Sequence, residues 1–216
     1  DLGFTERNIL FTYLVPERRM PRELSSVLDE VRQTVAALPG VRSVTLASSV
    51  VGGRPIPLLT PEDQKAGNAA GRPLPCNLVD PGYFATLGIP LLQGRDFTTH
   101  DNEAGGRVAI VSESMAKRLW PGERAVGQTL FAGRGELLPR EVVGVVRDVA
   151  DLSERQTTDP LYYLPMRQER FGDLILIVKT KTAPAEFAGP VRAALKRMDA
   201  SLSTFLFDTI GGRLRV

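Results

Sequence analysis

This chain has little of what reactive chemistry needs. A single cysteine, Cys76, excludes an internal disulfide, and with a single histidine, His100, a Cys/His zinc site built from this chain is excluded as well. A lone cysteine does not fix the compartment, because oxidising surroundings permit disulfides without requiring them. The formal charge is only +2 and both signs are mixed throughout, so no arm or stripe is basic enough for nucleic acid. The densest basic group, Arg18, Arg19 and Arg22, reads as the solvated start of a helix. No apolar run reaches the length of a membrane span; Ile9–Val15 and Leu174–Val178 are strand-sized. With neither a signal peptide nor an initiator Met at Asp1, the chain is expected to be a piece of a longer protein, so its lack of spans does not describe the parent. A phosphate-binding loop is missing too. Gly133-Arg134-Gly135 lacks the required Gly-x-x-x-x-Gly-Lys-Ser/Thr pattern and joins two strands, Thr129–Phe131 and Arg140–Val149, as a β-hairpin. Any ATPase must therefore lie on another chain or segment.

What is present is a pattern of strands and helices. Ile9–Val15 alternates through Ile9, Phe11 and Tyr13 and is stopped by Pro16 and Pro21. Pro21 suits a first helical position, where its missing N–H is no loss. Leu24, Val27, Leu28, Val31, Val35 and Leu38 then recur at helical spacing, and Pro39-Gly40 ends the helix before a strand at Val41–Ala47. A second strand–helix–strand unit closes the chain: Asp173–Thr180, a helix over about Ala185–Met198 that kinks or begins late at Pro190, and Ser203–Asp208 with Phe205 and Phe207 alternating. The two units predict a split β-α-β layer with both helices on one face. Between them the texture changes. Ser49–Ala70 is polar and rich in Gly and Pro, which predicts that it includes a long loop. Short strands follow at Cys76–Asp80, Ile89–Gln93, Val108–Val111, Thr129–Phe131, Arg140–Val149 and Leu161–Leu164, with a helix from the N-cap Ser112 to about Leu119. The expected fold class is α+β, with residues 1–48 and 166–216 as one discontinuous part and 49–165 as an inserted, mainly β part.

Four groups deserve a chemical reading. Ser114-x-x-Lys117 matches the spacing at which a lysine activates a serine nucleophile, but neither a Ser-Asp-Asn nor a Lys-Thr-Gly partner is present. The plain alternative is an exposed helix face with a Glu113–Lys117 pair. Asp96, His100 and Asp101 offer hard-metal ligand types without a further cluster, and Asp96 more simply braces the turn after Gly94. Asp148, Asp151 and Glu154 form a carboxylate group where a strand ends, with no apolar pocket to raise one pKa. Tyr83, Phe84, Trp120, Tyr162 and Tyr163 read as core, Trp120 alternatively as an anchor for a partner.

The most specific feature is the ordered series of blocks along the chain. Val79–Phe97 contains Tyr83-Phe84, Leu87-Gly88-Ile89 and Gly94-Arg95-Asp96-Phe97, with a short helical turn at Tyr83–Leu87. Val108–Gly122, Val142–Val149 and Leu161–Pro165 follow in order, and Leu38-Pro-Gly-Val-Arg-Ser-Val44 precedes them. This series resembles the MacB-type periplasmic core domain of ABC-transporter permeases, in the version found in large permeases of acidobacteria, with FtsX- and LolC-like relatives. The resemblance implies a layer of β-α-β units (the porter-like part) carrying an inserted β part (the Sabre). It implies a site on the periplasmic side of the inner membrane. It also implies a permease dimer working with a cytoplasmic ABC ATPase, and a periplasmic adaptor or envelope partner. The implied role is non-catalytic mechanotransmission in efflux or envelope export. No catalytic, cofactor-binding or metal-binding residue is carried over. The alternatives are a periplasmic ligand-binding or sensory module, which needs an apolar pocket with convergent polar groups, and a Ser114/Lys117 hydrolase.

Overall fold

The computed structural model describes residues 2–5, 7–16, 24–67, 69–134, 136–150, 160–169, 174–199 and 202–213. The expectations for Arg18, Arg19, Pro21, Arg22, Gly135, Asp151, Glu154 and Asp173 lie outside these described residues. In chain order the elements are β1 (Ile9–Pro16), α1 (Leu24–Ala36), β2 (Val41–Ala47), β3 (Arg54–Leu59), α2 (Pro61–Lys65), β4 (Arg72–Val79), α3 (Tyr83–Leu87), β5 (Leu91–Gly94), β6 (Val108–Ser112), α4 (Glu113–Leu119), β7 (Thr129–Ala132), β8 (Leu138–Val146), β9 (Tyr162–Pro165), β10 (Leu174–Thr180), α5 (Ala188–Met198), β11 (Leu202–Thr209) and α6 (Ile210–Arg213). No helix among the described residues is long and apolar enough to cross a membrane.

Four strands form an antiparallel layer in the order β11-β1-β10-β2. Phe11 faces Ile177 across β1 and β10, and Ile177 faces Thr45 across β10 and β2. Each β-α-β unit is thus split by a strand of the other, as the two terminal patterns predict. Period-two alternation sorts the side chains. Leu10, Leu176 and Val178 join a core with Leu28, Val31 and Val35 of α1 and Val191 and Leu195 of α5. Ile9, Phe11, Ile175 and Ile177 join a second core with Tyr83, Phe84 and Leu87 of α3. Burying each such aliphatic side chain contributes about 1.5–3 kcal/mol.

The rest of the sheet closes on itself. β2 touches β4 through one residue pair, Ala47 with Val79. From β4 the order continues β3-β7-β8-β6-β9, and β9 pairs back onto β4 in parallel, giving a ring of six strands. β5 lies outside the ring, on β8. Side chains fill the ring as in a small barrel. Leu58, Leu78, Val111, Leu130, Tyr162 and Leu164 belong to the first core, while Val108, Ile110 and Tyr163 face outward into the second. Inside, the Tyr162 hydroxyl donates to the Ile56 carbonyl at 2.9 Å.

Some expectations are corrected. Residues 49–70 are not one long loop: they contain β3 and α2. The prolines that argue against a strand sit opposite each other, Pro55 with Pro75 and Pro57 with Pro73. An antiparallel ladder alternates bonded and unbonded rungs, so prolines on the unbonded rungs leave Arg54, Ile56 and Leu58 to carry it. The helix near Pro190 begins late: a 3-10 turn over Pro184–Phe187 precedes α5, and Pro190 lies in its first turn, where no intrahelical N–H is needed. The Phe205/Phe207 alternation fails. Leu206 has φ +55° and forms a bulge opposite Thr12 and Tyr13, which leaves Phe205 67% exposed while Phe207 packs under Arg192. The hairpin is as expected, with Ala132 facing Leu138 across its loop.

Helix α2 is short and depends on its cap. Thr60 Oγ1 accepts from the Asp63 N–H at 3.1 Å, and Asp63 accepts from the Thr60 N–H at 3.0 Å. Arg72 of β4 adds bonds to Asp63 of 2.7 and 3.0 Å. The Arg72 guanidinium, with help from Thr60, holds the Asp63 carboxyl well below the usual carboxylate range. A depressed folded pKa gives stability that is present above the unfolded value, near pH 4, and is lost as pH falls through the folded one. Protection of the amides of residues 62–66 against exchange is therefore expected to hold from pH 7 to below pH 4 and to fall only in stronger acid. Asp63→Asn should remove that pH dependence.

Candidate functional site

The structure gives Ser114 and Lys117 different hydrogen-bond partners. Ser112 caps α4, its Oγ accepting from the Met115 N–H at 3.3 Å and from the Leu161 N–H at 3.1 Å. In the same first turn Ser114 donates through Oγ to Asp148 at 2.7 Å, and its N–H donates to the same oxygen at 3.0 Å. Lys117 instead donates to Glu113 at 2.8 Å, the pair expected on a plain helix face. That bond pushes the lysine pKa up, away from what a general base requires. Ser114→Ala is expected to cost about 1–2 kcal/mol through the lost bond to a carboxylate. Lys117→Ala should stay within about 0.5 kcal/mol. Denaturant melts read both, and an active-site-directed serine reagent should leave Ser114 of the unsubstituted chain unlabelled.

The acidic groups do not converge. Arg95 clasps Asp101 with two bonds of 2.8 and 2.9 Å, and the Thr98 N–H donates to Asp101 at 2.7 Å. Burial pushes Asp101 up, but Arg95 and Thr98 bring it net below its ordinary value. Asp96 accepts from the Phe97 N–H at 2.6 Å, bracing the turn after Gly94, and burial raises its pKa. No group of three metal-ligating side chains occurs among the described residues. Asp148 serves Ser114, while Asp151 and Glu154 lie outside the described residues. Cys76 is fully buried in the first core, and burial pushes its thiol up.

Tyr83, Phe84 and Tyr163 pack edge to face in the second core, with Phe84 and Tyr163 centroids 4.8 Å apart. Trp120 differs. It is half-buried and lines a cleft of about 570 Å3 with Leu92, Gln93, Ala116, Lys117 and Ala125, between α4 and β5.

The strongest polar feature is one that sequence reasoning missed. Immediately after β9, three consecutive side chains reach in different directions. Arg167 donates to Asp80 at the end of β4, through Nε at 2.7 Å, and to Asp29 of α1, through Nη1 at 3.1 Å and Nη2 at 2.8 Å. Gln168 donates to the carbonyls of Asn102 and Gly106 and accepts from the Val108 N–H. Glu169 takes the Nη2 of Arg140, whose Nε bonds the Ala132 carbonyl inside the ring. This segment straps the helix side of the layer to the ring. The first partners of Arg167 lie 87 and 138 residues away in sequence, so no local motif marks it. Its two carboxylates respond differently. Hydrogen bonds from Arg167 hold Asp29 below its ordinary value, whereas burial raises Asp80 despite its bonds to the same guanidinium.

Comparison with known proteins places this arrangement. A family model described as the MacB-like periplasmic core domain matches residues 6–195. The chain is 30% identical over 96 residues to the uncharacterised ABC transporter permease YknZ of Bacillus subtilis (strain 168), covering 44% of this chain and 23% of that protein. It thus spans about a quarter of the length of that relative. The periplasmic region of MacB from Actinobacillus actinomycetemcomitans superposes with a TM-score of 0.63 at 18% identity, covering 99% of this chain and 93% of that one. The extracellular domain of YknZ from Gram-positive bacteria gives 0.59 at 18% identity, covering 91% and 100%. At these identities the likeness speaks to the fold.

Proposed function

Because the chain belongs to the MacB-like periplasmic core domain family, we propose that it is the non-catalytic outer domain of an ABC permease, coupling cytoplasmic ATP hydrolysis to movement on the periplasmic side. The observation that carries this reading is the meeting of two strand ends. Leu10 near the start of β1 faces Thr209 at the end of β11, so the segments entering β1 and leaving β11 meet at one end of the layer. Force applied there enters two adjacent strands of a continuous sheet. Packed elements pass such displacement onward as units, because close-packed interiors shift between discrete arrangements and do not deform smoothly.

In this reading residues 1–48 and 166–216 form the porter-like part and 49–165 the Sabre-like part. The grouping of β1, β2, β10 and β11 in one layer supports the division. The partners are a cytoplasmic ABC ATPase, a second permease copy and an adaptor or other envelope protein. Sequencing the parent gene past both ends tests the setting. An apolar segment of membrane-spanning length is expected on each side of this sequence, and flanks without one would sink the coupling role.

A further inference from the structure

The two carboxylates held by Arg167 are not equivalent. Asp80 is fully buried, and within this network the guanidinium of Arg167 is its partner. Asp29 sits on α1 with its side chain 35% exposed. Its Oδ1 accepts from Arg167 Nη2 at 2.8 Å and from Arg32 Nη2 at 2.9 Å. Arg32 lies three residues further along the same helix and travels with Asp29. If α1 moves away from Arg167, Asp29 keeps Arg32 and Arg167 keeps Asp80. Rupture of a buried ion pair is costly mainly when a charge is left alone, and here none is. Separating Arg167 from Asp80 would strand a buried carboxylate. The ladder joining the two regions is short: β2 shares one residue pair with β4, flanked by backbone bonds from Ser48 N–H to the Leu78 carbonyl at 2.8 Å and from Asp80 N–H to the Leu46 carbonyl at 2.9 Å.

We propose that Asp29 is a releasable latch, by which α1 docks on and undocks from the Arg167 strap while Arg167 stays fixed to Asp80, with Arg32 as the resting partner that makes release reversible. The device needs two states of similar free energy, and the shared carboxylate supplies them. It goes beyond the coupling role and does not depend on it, since it operates within this chain whether or not a motor drives it.

The test measures distances in this chain by pulsed electron paramagnetic resonance. Labels go on Gln33→Cys of α1 and Thr129→Cys of β7, both exposed positions; buried Cys76 stays unlabelled. Asp29→Ala removes the latch and is expected to broaden the distance distribution about twofold. Arg32→Met removes the resting partner, so release leaves Asp29 with water alone and is less favourable; the distribution should narrow and lose its longer component. Thermal melts confirm that both variants fold. Opposite shifts are the expected result. If the pairs only hold the fold together, both variants loosen alike, and that outcome, or two unchanged distributions, overturns the latch.

Discussion

Arg167→Met is expected to destabilise the folded chain by about 3–5 kcal/mol, the range for removing one partner of a buried ion pair. The penalty falls on Asp80, which is fully buried and loses its guanidinium. Asp29 contributes little, because Arg32 remains beside it. The cost should depend on pH with a definite sign. Burial already raises the Asp80 pKa, and without Arg167 it rises further. A carboxyl whose folded pKa lies above its unfolded value loses stability as pH rises through the folded value, so the variant should be weaker at pH 8 than at pH 5. Replacing both partners, Arg167→Met with Asp80→Leu, should recover most of the loss, because no charge is then buried alone. Denaturant melts of the two single variants and the double variant at two pH values check all three statements. A double variant as unstable as Arg167→Met would show that the packing of the arginine stem, and not its charge, holds the junction.

Gly94→Ala should be the next most damaging change, at about 2–4 kcal/mol. Gly94 has φ +73°, and a Cβ there would lie 2.1 Å from the Val143 carbonyl oxygen. That oxygen already accepts from the Arg95 N–H at 2.9 Å, so it is not free to move. The loss should be local before it is global. Hydrogen exchange is expected to rise first in β5 and its partner β8, then in the Arg95–Asp101 turn. Gly88 provides the contrast. Its positive φ carries the same backbone strain, but an added Cβ would meet the side chain of Thr5, which can rotate away. Gly88→Ala should therefore cost less than Gly94→Ala. Equal losses would mean that the clash with Val143 is relieved without cost.

These two positions show what the sequence could and could not say. Gly94 stands in a readable block, Gly-Arg-Asp-Phe, and its turn is marked by composition alone. The terminal strand–helix–strand units were legible because apolar alternation in β1 and β10 and helical spacing in α1 are local signals. Likewise, Lys117 bonds Glu113 as its spacing indicates. What was not legible is non-local. The ring closes through parallel pairs of β8 with β6 and β9 with β4, which join segments tens of residues apart and leave no periodicity of their own. β3 was hidden by prolines whose pairing partners are themselves prolines. The bulge at Leu206 broke an alternation that looked regular in sequence. Arg167 follows Pro165-Met166 without any motif, and its importance comes entirely from Asp29 and Asp80 arriving from elsewhere.

The central claim is that this domain moves when ATP is used below the membrane. On the proposed assembly of two permease copies with an ATPase, the direct measurement places one spin label at Thr129→Cys in the parent protein in lipid nanodiscs. It compares the distance between labels in the two permease copies without nucleotide and with ATP trapped by vanadate. Coupling predicts that the distance distribution shifts on trapping and that an ATPase-inactive variant abolishes the shift. ATP turnover at a normal rate with an unchanged distribution would contradict it.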